Sequence, residues 1–228
     1  MSENNQHLIT IITPTIGERN LSQLVDSLGC QKIPWVHIVL WDNKREENGL
    51  SPSDIEDAKN GNIRYHIEIK DNFVNGIASG SSLRAIGLMA SHTPYVTFGD
   101  SDVFHERNHF ELMMDLIKDA NWAYCRRKIW TTKGEYLGID GFESVGDSED
   151  RKVPYEMVDN NCMIFKREFG ASGAVLYRET KEYNDDRLFY AFLKQHAGKP
   201  NISKDASVHQ YCPKKLESMF RTNCSKIT

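Results

Sequence analysis

The chain has 228 residues, of which 39% are hydrophobic and 26% charged, with a formal net charge of -4. That length suits one sizeable domain with its own core and leaves two full domains cramped, while the charge balance gives no general attraction to nucleic acid or to an anionic membrane. The five cysteines (Cys30, Cys125, Cys162, Cys212, Cys224) are scattered and form no Cys-x-x-Cys pair, so neither a disulfide framework nor a zinc-thiolate cage is expected.

The polar start, Met1 to His7, lacks the order of a signal peptide, and no stretch approaches the ~20 apolar residues of a bilayer span. The expected location is the cytoplasm, with peripheral contact at the inner face of the membrane compatible with it. Leu8 to Thr13 is a β-branched run ended by Pro14 and Gly17, and reads as a buried strand feeding a loop. Leu21, Leu24, Val25 and Leu28 then recur at helical spacing after Asn20, a suitable N-cap, with Gly29 to end the helix. Trp35 to Trp41 is an apolar strand terminated by Asp42-Asn43, and Ile63 to Ile69 is a third strand. Ser82 to Ala90 is a helix whose Leu83, Ile86, Leu88 and Met89 include an apolar stripe. Tyr95 to Phe98 is a fourth strand running into Gly99-Asp100-Ser101-Asp102. This order predicts an α/β protein with an open, mostly parallel sheet flanked by helices.

Open parallel sheets bind ligands beyond the carboxyl ends of their strands, where Thr13-Pro14, Asp42 and Asp100 to Asp102 would lie. If the chain stays extended through the triplet, Asp100 and Asp102 fall on the same side. Two converging carboxylates invite a hard cation, Mn2+ or Mg2+, which takes one or two carboxylates and completes its shell with water and substrate phosphates. A solvated acidic turn is the alternative that the triplet alone leaves open.

The pieces Ile12-Thr13-Pro14-Thr15, Val39-Leu40-Trp41-Asp42-Asn43, Leu83 to Ala90 and Tyr95 to Asp102 occur in one order between Leu8 and Leu116. In that order and approximate spacing the chain resembles the glycosyltransferase family 2 type of catalytic domain. The resemblance implies a GT-A type, Rossmann-like fold in one domain, residues 1–228. Residues 1–118 would be the nucleotide-sugar-binding half, 119–212 the acceptor-binding half and 213–228 a C-terminal tail. It implies a donor of UDP- or GDP-sugar type and transfer, with inversion, to a hydroxyl of a glycan or lipid-linked acceptor. The setting would be bacterial-type surface glycan or glycoconjugate synthesis. By the same resemblance Thr13, Pro14, Thr15 and the following loop with Glu18 meet the nucleoside, Asp42 bonds the base, and Arg84 and Ser101 lie at the nucleotide. Asp102 ligates the metal, and Asp100 contacts ribose or metal-bound water. The usual second-strand Asp-Asp-Gly-Ser is Trp41-Asp42-Asn43-Lys44 here, and the usual Ala-Arg-Asn is Leu83-Arg84-Ala85. Without the resemblance, Arg84 reads as a residue on the solvent face of its helix.

An inverting transferase needs a carboxylate to take the acceptor's proton. Tyr183 to Phe189 looks like the family's Glu-Asp segment at a helix start, with Asp186 in the catalytic position and Asp185 in the glutamate position. Helix capping explains the same pair. His209 resembles the late histidine that some GT-A enzymes add to the metal site, and a structural histidine is the alternative. Trp130 with Gly138 to Asp150 reads as a mobile acceptor-side loop, with a core position the equal alternative for Trp130, and Asp159-Asn160-Asn161 as polar side chains at a strand entrance that either meet hydroxyls or form a turn. Lys214, Lys215, Arg221 and Lys226 in the tail suit an anionic, lipid-linked acceptor or simply a solvated helix.

Three rivals stand beside this reading. His105-Glu106-Arg107-Asn108-His109 matches the zinc-protease pattern, which requires both histidines one helical turn apart. A catalytically inactive sugar-nucleotide-binding module would keep the fold and bind without turnover. A nucleotidyltransferase would want a Gly-rich phosphate loop after the first strand, where only Gly17 occurs.

Overall fold

The computed structural model describes residues 7–15, 21–42, 62–69, 79–147, 151, 156–179 and 185–225. β1 (Ile9–Thr15) is buried along its whole length because it is flanked on both edges. It pairs in parallel with β2 (Trp35–Asp42) and, from Ile9 to Ile12, with β4 (Tyr95–Phe98). The expected stop at Pro14 is overrun, since the strand continues to Thr15. Leu8 and Ile12 offer their carbonyls to the β4 side, so Pro14, two residues on, turns its missing N–H toward the same side, past the end of β4.

β3 (Ile63–Ile69) extends the parallel set at the far edge of β2. Beyond β4 the chain's second half adds β10 (Met163–Lys166), antiparallel to both β4 and β6 (Trp122–Thr131). β11 (Asn201–Cys212) runs parallel to β6, and β5 (Val103–His105) lies antiparallel on β11. Among the described residues this gives one nine-stranded sheet in the order β3-β2-β1-β4-β10-β6-β11-β5, with β7 (Tyr136–Ile139) on β6.

Successive residues of β1 face opposite ways, and each face has its own helix. Gly99, at the end of β4, lies against Ile11 and Leu24 of α1 (Leu21–Gly29), whereas Gly87 of α2 (Ser79–Ala90) lies against Ile12 and Leu40. α2 packs on α4 (Arg167–Glu179), and α4 on α5 (Asp185–His196). α3 (His109–Ile117) joins α1 through Gln31, which accepts from Phe110 N and donates to the Glu106 carbonyl. No described helix is long and apolar enough to cross a membrane.

Gly87 is where α2 comes closest to the sheet. A Cβ there would sit 2.4 Å from Ile12 Cγ2 and 3.0 Å from Leu40 Cδ1. Ile12 is β-branched on a central strand, so it has no rotamer in which to retreat. Gly87→Ala is therefore expected to destabilise by about 1–3 kcal/mol despite alanine's helix preference of up to ~1 kcal/mol. A urea titration measures this, and a variant as stable as the parent would show that α2 shifts freely.

One second-half expectation changes. Gly138 to Asp150 is not simply a loop: β7 enters it, and β8 (Ser144–Gly146) pairs with β9 (Met157–Val158), while residues 148–150 lie outside the described set. His209, read from the sequence only by its residue type, sits inside the twelve-residue β11.

Candidate active site

The sheet reverses its direction of growth between β1 and β4: β2 and β3 lie to one side of β1 and β4 to the other. Carboxyl ends diverge at such a point and leave a crevice. Thr15, Asp42 and Asp100 all come at strand ends on this edge.

Arg84 gathers the acidic residues here. Its Nη2 donates to both oxygens of Asp100 at 2.6 and 2.7 Å, and its Nη1 lies 3.4 Å from Asp185 Oδ2. Ser81 Oγ donates to the same Asp185 oxygen at 2.7 Å. The helix reading of Ser82 to Ala90 thus starts three residues late, because the added turn contributes Ser81 and a glycine whose Cβ would crowd Arg84 Nη1 at 3.1 Å. Arg84 is not on a solvent face: its side chain is 12% exposed. Burial works against its charge, yet Asp100, Asp186 and Asp185 outweigh burial and hold the guanidinium protonated far above its usual range.

The chain does not stay extended through the triplet. Val103 N donates to the Asp100 carbonyl at 3.1 Å, closing a turn over Ser101 and Asp102. The two carboxylates consequently have different neighbours. Asp100 is held by Arg84 and by Asn161, whose Oδ1 accepts from Asp100 N and whose Nδ2 donates to Asp100 Oδ2. Asp102 is tied to β11: its carbonyl accepts from Tyr211 N, and its Oδ2 lies 3.3 Å from Gln210 Nε2.

A second arginine connects these groups. Arg127 on β6 has a side chain only 1% exposed, and it donates to Asp140, Asp159, Glu143 and Gln210 Oε1. Asp159 in turn accepts from Asn161 N at 2.9 Å and from Asn161 Nδ2 at 2.8 Å. A continuous polar path therefore runs from Asp185 through Arg84, Asp100, Asn161, Asp159, Arg127 and Gln210 to Asp102. Burial works against the Arg127 charge, but Asp159, Asp140 and Glu143 outweigh it and hold the guanidinium well above its usual range. For Glu143 burial prevails over Arg127, and its carboxyl is raised. Asp186, half-buried at the start of α5, accepts from Asn160 Nδ2. Burial first, then Asp159 and Asp185, raise it well above the carboxylate range, with Arg84 pulling the other way.

The first-strand residues divide between the core and the crevice. Thr13 is fully buried and its hydroxyl is committed: it donates to the Gly99 carbonyl at 2.6 Å and meets His37 Nε2 at 2.8 Å. Arg64 Nε donates to His37 Nδ1, so Nε2 carries the proton given to Thr13. Thr13 is a buckle between β1, β2 and β4 rather than a nucleoside contact. Pro14, Thr15 and Ser101 are buried at the crevice end, Asp42 is half-buried at the end of β2, and Glu18 lies outside the described residues.

His209, expected as a metal ligand, has both ring nitrogens engaged by other side chains. Trp130 Nε1 donates to its Nδ1 at 3.0 Å, which leaves Nε2 to hold the proton that faces Glu106 Oε1 at 2.9 Å. A ring with both nitrogens so engaged has no lone pair for a cation. The ring is stacked between Phe104 and Trp130. Its neighbour on the opposite face of β11, Gln210, is the one that reaches Asp102.

The zinc-protease pattern also fails in three dimensions. His105 closes β5 while His109 opens α3, and their rings stack at 4.4 Å and 14° instead of projecting together from one helical face. In the tail, Arg221 is paired with Glu135 and Glu217, and Lys226 lies outside the described residues.

Sequence reasoning missed Arg127 and Gln210. For Arg127 a signal existed: it falls in phase with Cys125, Ile129 and Thr131 on the buried side of an alternating strand, where a lone cation implies buried acids. Gln210 had none, since a glutamine beside a histidine carries no pattern.

No protein-family model and no curated protein matches the chain. Solved structures do. S. aureus TarS 1-349 superposes with a TM-score of 0.67 at 16% identity, covering 92% of this chain and 62% of that one. Its complex with UDP-GlcNAc gives 0.66 at 15% identity, over 91% and 59%. The 4-diphosphocytidyl-2C-methyl-D-erythritol synthase from Anaerococcus prevotii gives 0.55 at 13% identity, over 96% of both chains. The chain thus spans under two thirds of the length of TarS 1-349 and shares its GT-A-like α/β fold.

Proposed function

We propose that this chain moves a sugar from a nucleoside diphosphate donor of UDP or GDP type to a hydroxyl acceptor, with inversion, in glycan or glycoconjugate synthesis. The observation that carries this reading is the unbroken acidic network from the end of β4 to the start of α5, at the crevice where the fold binds nucleotides. TarS, whose complexes contain UDP-GlcNAc and UDP, supports the donor class. In this reading residues 1–118 bind the donor, 119–212 the acceptor, and 213–228 form a tail.

The leaving diphosphate gathers negative charge as the glycosidic bond breaks. Arg84 supplies a fixed cation for it. Asp102, with Asp100 behind it, would hold Mn2+ or Mg2+, whose chemistry there is Lewis-acid neutralisation of the same charge. Hard cations at nucleotides need only one or two carboxylates and complete their shell with water and the donor's phosphates, so Asp102 with Asp100 nearby would suffice. Asp186 takes the acceptor proton as the hydroxyl oxygen attacks the anomeric carbon. Asp185, fixed by Ser81 and Arg84, keeps the start of α5 in place.

A thermal-shift panel of UDP, GDP and CTP with Mn2+, repeated on Asp102→Ala, tests this reading. At a hundredfold excess over Kd the matching nucleotide should raise Tm by about 5–10 °C. Loss of that shift in Asp102→Ala is expected, and a shift that survives the substitution overturns the metal assignment. Selective stabilisation by CTP would favour the second reading, assembly of a cytidine-diphosphate compound, which rests on the near-complete mutual coverage with the Anaerococcus synthase.

A further inference from the structure

Asn160 lies in the short 3-10 turn Asn160–Cys162, is 1% exposed, and joins two groups of opposite demand. Its Nδ2 donates to Asp186 Oδ1, and its Oδ1 accepts from the Tyr177 hydroxyl at 2.7 Å. Tyr177 is itself buried on α4, its ring against Phe98 at 5.6 Å and Phe189 at 5.0 Å between centroids, so the hydroxyl cannot swing away. The two ends of a carboxamide differ only in what they offer. Reversed, it would set its carbonyl oxygen against an oxygen of the ionised carboxylate, two acceptors with no proton between them, and would forfeit the phenol's donation.

We propose that Asn160 is the positioning residue of Asp186, with Tyr177 setting the amide so that its N–H2 faces Asp186 and favours the ionised carboxylate that a general base requires. This rests on the assignment of Asp186 as the base. The need for such a device is visible in the surroundings. Asp159 precedes the turn, Asp185 adjoins on α5, Asp100 faces it from the end of β4, Arg84 from α2 and Tyr177 from α4. Three carboxylates thus oppose ionisation while Arg84 favours it. A neutral donor adds a bond to the anion without adding another charge for Asp185 and Asp100 to compete for. The Tyr177 hydroxyl, in an otherwise aromatic core, has the Asn160 amide as its partner.

Aspartate 13C-carboxyl NMR on the whole chain tests this without any sugar nucleotide, using Asp186→Asn to identify the Asp186 signal. Asn160→Ala should raise the Asp186 midpoint by about one pH unit or more, the scale expected when a hydrogen bond to a charged group is lost. Tyr177→Phe, which keeps the ring and its packing, should move it in the same direction by less. A purely structural role for the amide would leave the midpoint unmoved in both variants and would overturn the proposal. Should Asn160→Ala fail to fold, the Tyr177→Phe titration decides alone. A shifted midpoint together with sugar transfer retained in Asp186→Asn would sink the base assignment and leave the positioning role standing.

Discussion

Arg127→Met is expected to cost about 3–5 kcal/mol of folding stability, the scale found when one partner of a buried ion cluster is removed. The methionine fills a similar volume, so the loss is electrostatic. Asp140, fully buried, keeps its bonds from Phe142 N at 2.7 Å and Glu143 N at 3.2 Å but loses its cation, and Asp159 and Glu143 lose theirs with it. With ~2–4 °C of Tm per kcal/mol for a chain of this size, the midpoint should fall by about 6–20 °C. Arg127→Lys should recover only part, since an ammonium is a point charge and cannot present a planar fork to several acids at once. Asp140→Asn placed in the Arg127→Met background should restore stability, because it removes a buried charge that has no counterion. Equilibrium urea unfolding of the three variants measures each step, and a loss below ~1 kcal/mol in Arg127→Met would mean that water reaches the cluster. Donor affinity should fall in the same variant, since Gln210 is held toward Asp102 by Arg127.

That dependence shows where the sequence stops being informative. β3 and β4 have the boundaries their β-branched and aromatic runs predict, and α1 buries Leu21, Leu24 and Leu28 as its spacing requires. These are local features, decided within one turn or one pleat. Acidic candidates were legible for a related reason: Asp100 follows a buried strand, and Asp185 opens a helix. What was not legible is which groups meet. Arg84 reaches Asp185 across 101 positions, and Gln210 reaches Asp102 across 108. The turn at Ser101-Asp102 departs from the extension that β4 suggests because β11 draws the chain back through the Asp102 carbonyl. His209 misled through its residue type alone; the face it occupies is set by its phase in β11, and the aromatic stack of Phe104 and Trp130 only exists once β5, β6 and β11 are assembled. Arg84 by itself reads as a solvent-facing residue, and its burial between Asp100 and Asp185 depends on contacts that no local pattern encodes.

Asp186→Asn is expected to separate function from stability in opposite directions. A general base contributes about 10²–10⁴-fold, so transfer should drop by that factor while the donor-induced thermal shift persists. Stability should move the other way. The folded protein raises the Asp186 carboxyl well above its ordinary value of about 3.9, chiefly through burial and then Asp159 and Asp185. A carboxyl raised on folding binds more protons in the native state than in the unfolded one. Its contribution is therefore fully present below the unfolded value and is lost as pH rises through the folded value. Asparagine stays neutral throughout and keeps an oxygen for the Asn160 amide, so it escapes that loss. The variant should match the parent in acid and become the more stable of the two as pH climbs, with the gap levelling off once Asp186 is fully ionised in the parent. Paired urea titrations at stepped pH measure the gap, and a variant less stable than the parent at neutral pH would mean that the charge is offset by Arg84 after all. If both effects are found, Asp186 is held ionisable at the expense of stability, and its charge then has to be explained by chemistry because packing would be better served without it.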